Sequence, residues 1–336
     1  MATVEVLPDF VIHWIRELNA RPDTVERLQG GINSRVFRCS RGDHKWVIKG
    51  YADSSQRSRD RMMAEIQFLE FAGEVAEKFT PELIHADQDR LCIVLENLDG
   101  QLFEPGVQPP QHATREAVRF IELLNRNKKL ANKYIQNDAA EGFLSLREHL
   151  DNVEDRLQGM SYRHLDNRQK WDARELLEYA QNTLTEIREN TYSKISRGVI
   201  QDAINEDDRY VSPSDFGFHN AINTSGGIRF FDFEFAGWDD PAKINIDFIL
   251  QPRMPLQWPC LPLLSAWSPE HQELIEARCQ HLFPILKIKW ICILLSVLNP
   301  RRLNQILKAA PEEQSSSLIT TRIDKAKLYI RRFRAT

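Results

Sequence analysis

Hydrophobic and polar positions alternate along residues 24–51, where short apolar runs are bounded by turn-forming residues. The runs VERL, SRVFRC and KWVIKGY are separated by a Gly-Gly break and by the turn SRGDH. A period of two with β-branched and aromatic residues is typical of strands, and Gly, Asp and Ser mark the turns between them. The pattern therefore predicts a small antiparallel sheet of three strands.

The spacing of apolar residues along the chain changes after this sheet. In residues 59–73 (RDRMMAEIQFLEFAG) the apolar positions are spaced by three or four, which predicts a helix that ends at Gly73. Two further strands, LIHA and LCIVLE, flank the polar turn DQDR, and the tripeptide LDG then interrupts the pattern near residue 100. We place the boundary between two lobes at this interruption.

The rest of the chain is mostly helical by period, with one exception. At about residues 210–235, the segments AIN, TSGG and IRFFDFEF have the pattern of a strand, a turn and a second strand. We therefore predict an α+β fold, with a strand-rich N-terminal lobe at residues 1–100 and a mainly helical C-terminal lobe at residues 101–336 that contains this hairpin. A chain of 336 residues is long enough for two such lobes.

Composition and charge narrow the class of protein. The chain is 42% apolar and 27% charged with a formal net charge of −4, which predicts no nucleic-acid partner. The five cysteines form no CxxC pair and no metal-ligand spacing, so they indicate free thiols in a reducing compartment. The apolar run WICILLSVL is too short to span a bilayer and the N-terminus lacks a signal-peptide pattern, so we expect a cytoplasmic protein with no membrane partner.

Three polar residues lie around the predicted hairpin: Asp215 on a loop, Asn220 at a strand start and Asp232 at the end of the next strand. Antiparallel pairing across TSGG brings Asn220 close to Asp232, because the two flanking segments are of similar length. Phosphoryl transfer needs a carboxylate near the acceptor hydroxyl and oxygen ligands that hold Mg²⁺ on the phosphates. These three side chains supply both, although Asp and Asn also favour ordinary turns.

Four short motifs follow one another in this region. They are D-x-x-x-x-N at 215–220, D-F-E at 232–234, G-x-D-D-P at 237–241 and a single Asp at 247. In this order they resemble the aminoglycoside phosphotransferase and choline kinase family, and the resemblance covers residues 28–247 except about 105–200. It implies a bilobal, protein-kinase-like fold and ATP-dependent transfer of the γ-phosphoryl group to a hydroxyl of an aminoglycoside, an amino alcohol or a sugar-like molecule.

The resemblance also implies roles for the polar residues of the hairpin. Asp215 is then the catalytic base, and Asn220 and Asp232 bind the metal. The family usually has His two residues before its catalytic Asp, whereas this chain has Pro213 there. We predict that His219 packs or forms a hydrogen bond and is not itself the base, because strand alternation directs its side chain away from Asn220.

The N-terminal lobe contains residues suited to a nucleotide. Gly30, Gly31, Asn33 and Ser34 lie between the first two strands, where a backbone with few side chains lets N–H groups approach phosphates closely. A Gly-Gly pair is also common in hairpin turns that bind nothing. The four residues are therefore candidates for phosphate binding.

Two charged residues and one strand end complete this set. Lys49 lies in the apolar strand WVIKG and Glu65 lies on the next helix. In kinases such a strand Lys contacts the α- and β-phosphates and pairs with a helix Glu, although both residues could also face solvent. The segment LCIVLENLDG resembles the strand and linker that hold adenine by backbone hydrogen bonds, with Glu96, Asn97 and Leu98 as candidates. The cofactors implied are ATP (or GTP) and Mg²⁺.

The short interval between Asp232 and Asp247 indicates the size of the acceptor. Asp232 and Asp247 are fifteen residues apart, which leaves no room for the peptide-docking segment of protein kinases. The expected partner is therefore a small-molecule hydroxyl acceptor. Two alternatives stay open: a pseudokinase or regulatory binding module, suggested by Pro213 and the basic C-terminal segment, and a protein kinase with a reduced activation segment.

Overall fold

The computed structural model describes residues 7–28, 33–51, 55–163, 165–194, 203–254, 256, 269–309 and 315–334. Two predicted phosphate-loop residues, Gly30 and Gly31, lie outside these ranges. The chain forms two compact units, each assembled from separate segments. The first draws on 1–104, 109–140 and 211–238, and the second on 105–108, 141–210 and 239–336. The predicted lobe boundary at residue 100 stays a prediction.

A five-stranded antiparallel sheet forms much of the first unit. Its strands, in the order β1-β2-β3-β5-β4, are β1 (Glu26–Leu28), β2 (Ser34–Arg41), β3 (His44–Tyr51), β4 (Leu83–Asp87) and β5 (Cys92–Glu96). The predicted three-stranded sheet is confirmed, and the two later strands join it at β3. Lys49 pairs with Val36 on one side and Ile93 on the other, so it lies on the central strand.

The first helix, α1 (Asp9–Glu17), packs against this sheet. Its apolar residues Phe10, Val11, Trp14 and Ile15 lie in one core cluster with side chains of the strands. Gly50 is required at the contact, because a Cβ placed there would be 2.3 Å from Cζ of Phe10. The helix therefore covers the sheet face at the point where β3 lacks a side chain.

The second helix, α2 (Gln56–Val75), follows the sheet and begins at Ser55, whose hydroxyl accepts a hydrogen bond from the amide of Ser58. It runs through Gly73, so the predicted end at that residue is wrong. Glycine in a helix costs only about 1 kcal/mol relative to alanine, and the buried stripe of α2 continues to Ala72 beside it. Glu65 lies in that same buried stripe.

The hairpin predicted near residues 210–235 is present. Strand β6 (Gln101–Leu102) pairs with β8 (Ala221–Thr224), and β8 pairs with β9 (Gly227–Phe230) through a two-residue loop. A second small sheet joins β7 (Tyr210–Ser212) to β10 (Gly237–Asp239). Helices α3 (Gln111–Asn125) and α4 (Lys128–Tyr134) also belong to the first unit. Phe120 of α3 stacks on Phe230 of β9, with ring centroids 5.2 Å apart, and fixes the hairpin against the core.

The second unit is helical. Its helices are α5 (Leu146–Gln158), α6 (Asn167–Lys194), α7 (Pro241–Leu250), α8 (Pro269–Leu294), α9 (Pro300–Ala309) and α10 (Ser315–Arg334). A strand-rich first unit and a helical second unit confirm the predicted α+β class.

One helical segment, Gln272–Leu298, is long and apolar enough to cross a membrane by length and composition, and 61% of its apolar window is buried within the protein. Lys289 in this segment is buried and donates hydrogen bonds to both carboxylate oxygens of Asp247, at 2.6 and 2.7 Å. A lysine buried in a core helix is normally paired in this way, because an unpaired buried charge is costly.

Candidate active site

A buried lysine with three carboxylates forms the centre of the site. The Nζ atom of Lys49 donates hydrogen bonds to Oε2 of Glu65 at 2.5 Å and to Oδ1 of Asp232 at 2.6 Å. It also lies 3.7 Å from Oε2 of Glu234. Lys49 comes from the central strand and Glu65 from the buried stripe of α2. Asp232 and Glu234 come from the end of the hairpin. The structure thus brings together three of the residues predicted from sequence.

Burial and neighbouring charges shift the pKa values of Lys49 and Glu234. Burial acts to lower the pKa of Lys49, but the carboxylates of Asp232, Glu65 and Glu234 together raise it above the ordinary lysine value. Burial raises the pKa of Glu234, and the nearby ammonium of Lys49 only partly opposes that shift. Three acidic groups around one ammonium therefore leave the cluster with an excess of negative charge.

Glu234 is a site residue that the sequence prediction did not include. Its Oε1 accepts a hydrogen bond of 2.8 Å from Nδ2 of Asn33, in the predicted phosphate loop. Its Oε2 is buried and has no hydrogen-bond partner among the described residues. The signal was present in the D-F-E motif, where Glu234 stands two residues after Asp232.

Tyr51 also belongs to the site and was not predicted. Its hydroxyl donates a hydrogen bond of 2.6 Å to Oε2 of Glu65, the same oxygen that Lys49 contacts. Burial, followed by the negative charge of Glu65, raises the pKa of Tyr51 well above its ordinary value, so the hydroxyl stays protonated. Side chains two positions apart on a strand share one face, and this period relates Tyr51 to Lys49.

The oxygen atoms of this cluster fit a divalent cation. Among the described residues, Glu65, Asp232 and Glu234 have carboxylate oxygens within 4.8 Å of one another. Mg²⁺ prefers such oxygen ligands and is usually held by one or two carboxylates. The side chain of Asp232 is 33% exposed whereas those of Glu65 and Glu234 are buried, so Asp232 is the carboxylate open to a bound ion. Oε2 of Glu234, which has no hydrogen-bond partner among the described residues, is a second oxygen nearby.

The loop before the hairpin positions Asp215. Nε2 of His219 lies 3.0 Å from Oδ1 of Asp215, and Nδ2 of Asn220 donates to the main-chain oxygen of Asp215 at 3.0 Å. Residues 218–220 form a 3₁₀ turn and the strand begins only at Ala221, so strand alternation does not apply to His219. The His219 side chain is buried and lies within hydrogen-bond distance of Asp215, which agrees with the predicted packing or hydrogen-bonding role.

Asn125 of α3 fixes the backbone before this loop. Its buried side chain accepts a hydrogen bond from the amide of Val211 at 2.7 Å and donates to the carbonyl of the same residue at 3.1 Å. The side chain of Ser214, whose φ is 65°, donates to the carbonyl of Ala140 at 3.1 Å. These contacts hold the loop that contains Pro213. They join residues far apart in sequence, so no local pattern could have indicated them.

Asn220 and Asp232 lie next to each other across the hairpin. Ala221 pairs with Phe230, and the amide of Phe231 donates to the carbonyl of Asn220 at 3.0 Å. Asp232 follows directly, with a φ of 69° that few non-glycine residues adopt. The predicted proximity of these two residues is therefore present at the level of the backbone.

The predicted adenine-binding segment follows β5. Both carboxylate oxygens of Glu96 accept hydrogen bonds of 2.7 Å from the guanidinium of Arg229, so this side chain has a structural role. Oδ1 of Asn97 accepts a hydrogen bond of 2.8 Å from Nε of Arg38. The peptide groups of Asn97 and Leu98 form no hydrogen bond to other backbone groups within the described part of the chain. Backbone N–H and C=O groups that lack such partners are suited to form hydrogen bonds with the edge of a nucleotide base.

A cavity of about 990 Å³ lies close to this segment. Its walls come from the end of α2, the start of β4, the loop of the hairpin and the side chains of Glu96 and Asn97. Lys49, Asp215 and Asp232 do not line it. We therefore do not assign this cavity to the chemistry of the site.

A buried strand lysine paired with a helix glutamate, and in contact with an aspartate that ends a hairpin, is the arrangement by which kinases handle nucleotide phosphates. The class of protein is a kinase-type phosphotransferase. The chain belongs to the phosphotransferase enzyme family, whose model matches residues 24–243. The family predicted from the motifs is thereby confirmed.

Solved structures share this fold. The choline kinase from Cryptosporidium parvum superposes with a TM-score of 0.53 at 10% identity, over 96% of this chain and 95% of that one. The choline kinase LicA from Streptococcus pneumoniae gives 0.53 at 11% identity, over 95% and 96%. A macrolide 2′-phosphotransferase type I gives 0.51 at 10% identity, over 93% and 95%. No curated protein matches the chain by sequence. At 10–11% sequence identity, these structures are similar to the chain in fold alone.

Proposed function

We propose that this protein transfers the γ-phosphoryl group of ATP to a hydroxyl group of a small molecule. The observation that carries the proposal is the contact of Lys49 with both Glu65 and Asp232, at 2.5 and 2.6 Å. It joins a residue suited to bind phosphates directly to a residue suited to bind the metal. ATP is the donor we propose, because the chain belongs to a kinase-type phosphotransferase family.

The nucleotide-binding roles follow from position. Lys49 binds the α- and β-phosphates, Glu65 holds its ammonium in place, and Tyr51 in turn donates a hydrogen bond to the same oxygen of Glu65. Gly30, Gly31, Asn33 and Ser34 supply the phosphate loop, and the backbone of residues 96–98 holds the adenine. Bound ATP brings negative charge to a site that already has an excess of it, so a cation must accompany the nucleotide.

The metal ligands are Asn220 and Asp232, with Glu234 as a nearby oxygen. Mg²⁺ held by these side chains neutralises charge on the transferring phosphoryl group. The carboxylate of Asp232 contacts Lys49 in this structure. The contact with Lys49 is made by Oδ1, so the other carboxylate oxygen, Oδ2, would be the one offered to a bound ion.

Asp215 is the base that orients the acceptor hydroxyl. Its carboxylate is 41% exposed, while its backbone and one oxygen are held by Asn220 and His219. An exposed carboxylate on a fixed loop can accept the proton of a hydroxyl that approaches from solvent. Because the loop is fixed, it determines the direction from which the acceptor hydroxyl approaches the Asp215 carboxylate.

The acceptor we propose is an aminoglycoside, an amino alcohol or a sugar-like molecule. The solved structures of the same fold include kinases named for choline and a phosphotransferase named for macrolides. Asp232 and Asp247 are only fifteen positions apart, which also leaves no room for a peptide-docking segment. We place the protein in the cytoplasm, where ATP and unpaired thiols coexist; the described cysteines form no disulfide.

The test is a screen of hydroxylated metabolites and antibiotics for consumption of ATP in the presence of Mg²⁺. With an acceptor in hand, Asp215→Asn is expected to lower kcat by about 10²–10⁴-fold, the range for loss of a general base, while binding of ATP is retained. Asp89→Asn, at an exposed turn of the first unit, is the control and keeps full activity.

Two outcomes would favour the alternatives. Binding of Mg²⁺ and ATP without consumption by any acceptor would indicate a pseudokinase or regulatory binding module. Transfer of labelled phosphate to proteins of a lysate, with none to small molecules, would indicate a protein kinase. Either result would overturn the proposed activity.

A further inference from the structure

Glu65 accepts hydrogen bonds at both of its carboxylate oxygens. Oε2 accepts one from the ammonium of Lys49 at 2.5 Å and one from the hydroxyl of Tyr51 at 2.6 Å. Oε1 accepts one from the amide of Phe233 at 3.3 Å, within the D-F-E motif. The residue is only 1% exposed. Glu65 therefore joins the lysine of the central strand to the segment that contains Asp232, and its orientation affects both.

The sheet holds Tyr51 in a fixed place. The residue pairs with Ser34 of β2, and its amide donates to the carbonyl of Leu91 at 2.9 Å. Its side chain is buried, and a tyrosine has only two side-chain torsions before its rigid ring. An ionised carboxylate can only accept a hydrogen bond, so the phenol is the donor in the contact with Glu65. Tyr51 thus supplies a donor at a fixed position.

Lys49 by itself is a weaker restraint on Glu65. A lysine ammonium is a point charge on a flexible four-carbon stem. The same ammonium also donates to Asp232 at 2.6 Å and lies 3.7 Å from Glu234, so three carboxylates compete for it. If Lys49 were its only donor, Oε2 of Glu65 would follow each movement of the ammonium. The second donor, on a rigid ring, opposes that movement.

Tyr51 also contacts the other member of this ion pair. The ammonium of Lys49 lies 5.4 Å from the centroid of the Tyr51 ring, within the range of a cation–π contact. The two residues are two positions apart on β3, and side chains with this spacing share one face of a strand. The tyrosine therefore restrains the ammonium through its ring and the partner carboxylate through its hydroxyl.

We propose that Tyr51 is a positioning residue for nucleotide phosphates: it fixes the carboxylate of Glu65, which in turn holds the ammonium of Lys49 where the phosphates bind. The inference rests on the proposed function, in which Lys49 binds the α- and β-phosphates. The adenine is assigned to the backbone of residues 96–98, so the effect of Tyr51 is confined to the phosphates. A hydrogen bond to a charged group changes an equilibrium constant by about 10- to 10²-fold.

The test measures binding of ATP, ADP and adenosine, each with Mg²⁺, to wild type and to Tyr51→Phe. This replacement removes one oxygen atom and keeps the ring. We expect the Kd of ATP and of ADP to rise by about 10-fold and the Kd of adenosine to stay within about 2-fold, because adenosine has no phosphate for Lys49 to bind. Unchanged Kd values for ATP and ADP, or an equal rise for adenosine, would overturn the proposal.

Tyr134→Phe is the matched control. The hydroxyl of Tyr134 also donates to a glutamate of α2, Glu74, but this hydrogen bond is exposed and lies outside the site. Removing the same oxygen atom there should leave all three Kd values unchanged. Melting temperatures are measured for every variant, so that a loss of fold is recognised.

A second pair of variants tests whether the hydroxyl acts through Glu65. Glu65→Met keeps an unbranched side chain on the helix but removes the acceptor. In this background Tyr51→Phe should change the Kd of ADP by less than about 2-fold, against about 10-fold in the wild-type background. An equal change in both backgrounds would show that the hydroxyl acts by another route, and the proposal would then fail.

A measurement on the wild-type protein does not depend on the variants folding. NMR of protein labelled at tyrosine detects the hydroxyl proton of Tyr51, which a buried hydrogen bond protects from exchange. A shift of this signal on addition of ADP with Mg²⁺, and none on addition of adenosine, supports the proposal. The same response to both ligands, or to neither, contradicts it.

The outcomes for the proposed function are separate. If ATP and ADP bind and Tyr51 behaves as described, but no acceptor consumes ATP, phosphoryl transfer fails while the role of Tyr51 stands. If wild type binds ATP and ADP and Tyr51→Phe binds them equally well, only the role of Tyr51 is wrong. Failure of wild type to bind either nucleotide would overturn both.

Discussion

Replacing Lys49 with methionine removes the ammonium that holds the buried carboxylates of the site together. Glu65 and Glu234 are both buried, and their oxygens lie 2.5 and 3.7 Å from Nζ. At an effective dielectric constant of about 20, these separations correspond to attractions of about 7 and about 4 kcal/mol. Asp232 is one-third exposed, so solvent weakens its attraction to the ammonium.

Without the ammonium the two buried carboxylates repel each other. Their oxygens lie within 4.8 Å, which corresponds to at least about 3 kcal/mol at the same dielectric constant. Uptake of one proton relieves this repulsion and costs about 1.4 kcal/mol for each pH unit above the ordinary carboxyl pKa, or about 4 kcal/mol at about pH 7.5. We therefore expect Lys49→Met to lower the free energy of unfolding by about 4 kcal/mol, within the range of about 3–5 kcal/mol for broken buried ion pairs.

The loss should depend on pH in a defined direction. In the variant, the folded state holds one proton more than the unfolded state, because burial and repulsion raise a carboxyl pKa above its unfolded value. The cost is complete above the raised pKa and falls by about 1.4 kcal/mol per pH unit as the solution becomes more acidic. At about pH 5.5 the difference from wild type should be about 1–2 kcal/mol. Glu234 already shows this direction in the wild type, since burial raises its pKa.

Urea unfolding of wild type and variant at both pH values measures these differences. Lys45→Met is the matched control, since Lys45 is on the same strand but its ion pair with Asp99 is exposed, and a change below about 0.5 kcal/mol is expected. Adding Glu65→Gln to Lys49→Met should recover most of the loss. A loss below about 1 kcal/mol at about pH 7.5, or an equal loss at both pH values, would refute this account of the cluster.

Two further predictions concern the packing of the first unit. Gly50→Ala places a methyl group 2.3 Å from the ring of Phe10, and the overpacking should lower the free energy of unfolding by about 1–3 kcal/mol; an unchanged urea midpoint would show that α1 moves away freely. Burial raises the pKa of the Cys39 and Cys92 thiols to about 11, so in the native protein both should resist a thiol-specific disulfide reagent at neutral pH and react once urea unfolds the chain. Labelling of either thiol in the native protein at the rate of a free thiol would contradict this burial.

The parts of the fold that sequence predicted are those with a local cause. The alternation in SRVFRC and KWVIKGY and the turn TSGG define strands and hairpins through contacts between near neighbours. Lys49 and Glu65 could be paired because a known spacing on a strand and the following helix relates them. The wrong end for α2 at Gly73 has the opposite cause, since tertiary burial outweighed the weak helix preference of one glycine.

The parts that sequence missed depend on contacts over long separations. Asn33 and Glu234 are 201 residues apart and Asn125 and Val211 are 86 apart, yet each pair is hydrogen-bonded. No periodic pattern connects such residues. Glu234 and Asn125 also have polar side chains that are buried only because their partners are there, so composition alone gives no sign of their role.

The assembly of the first unit from separate segments has a consequence for biosynthesis. Segment 211–238 supplies Asp232 and Glu234 to Lys49, which lies near the start of the chain. When a ribosome has made only the first hundred residues, the central lysine and the helix glutamate therefore lack two of their charged partners. Domains often fold in the order in which they emerge. Here the charged cluster at Lys49 must remain incomplete until translation has passed Trp238, and during that interval the nascent segment is exposed to chaperones and proteases.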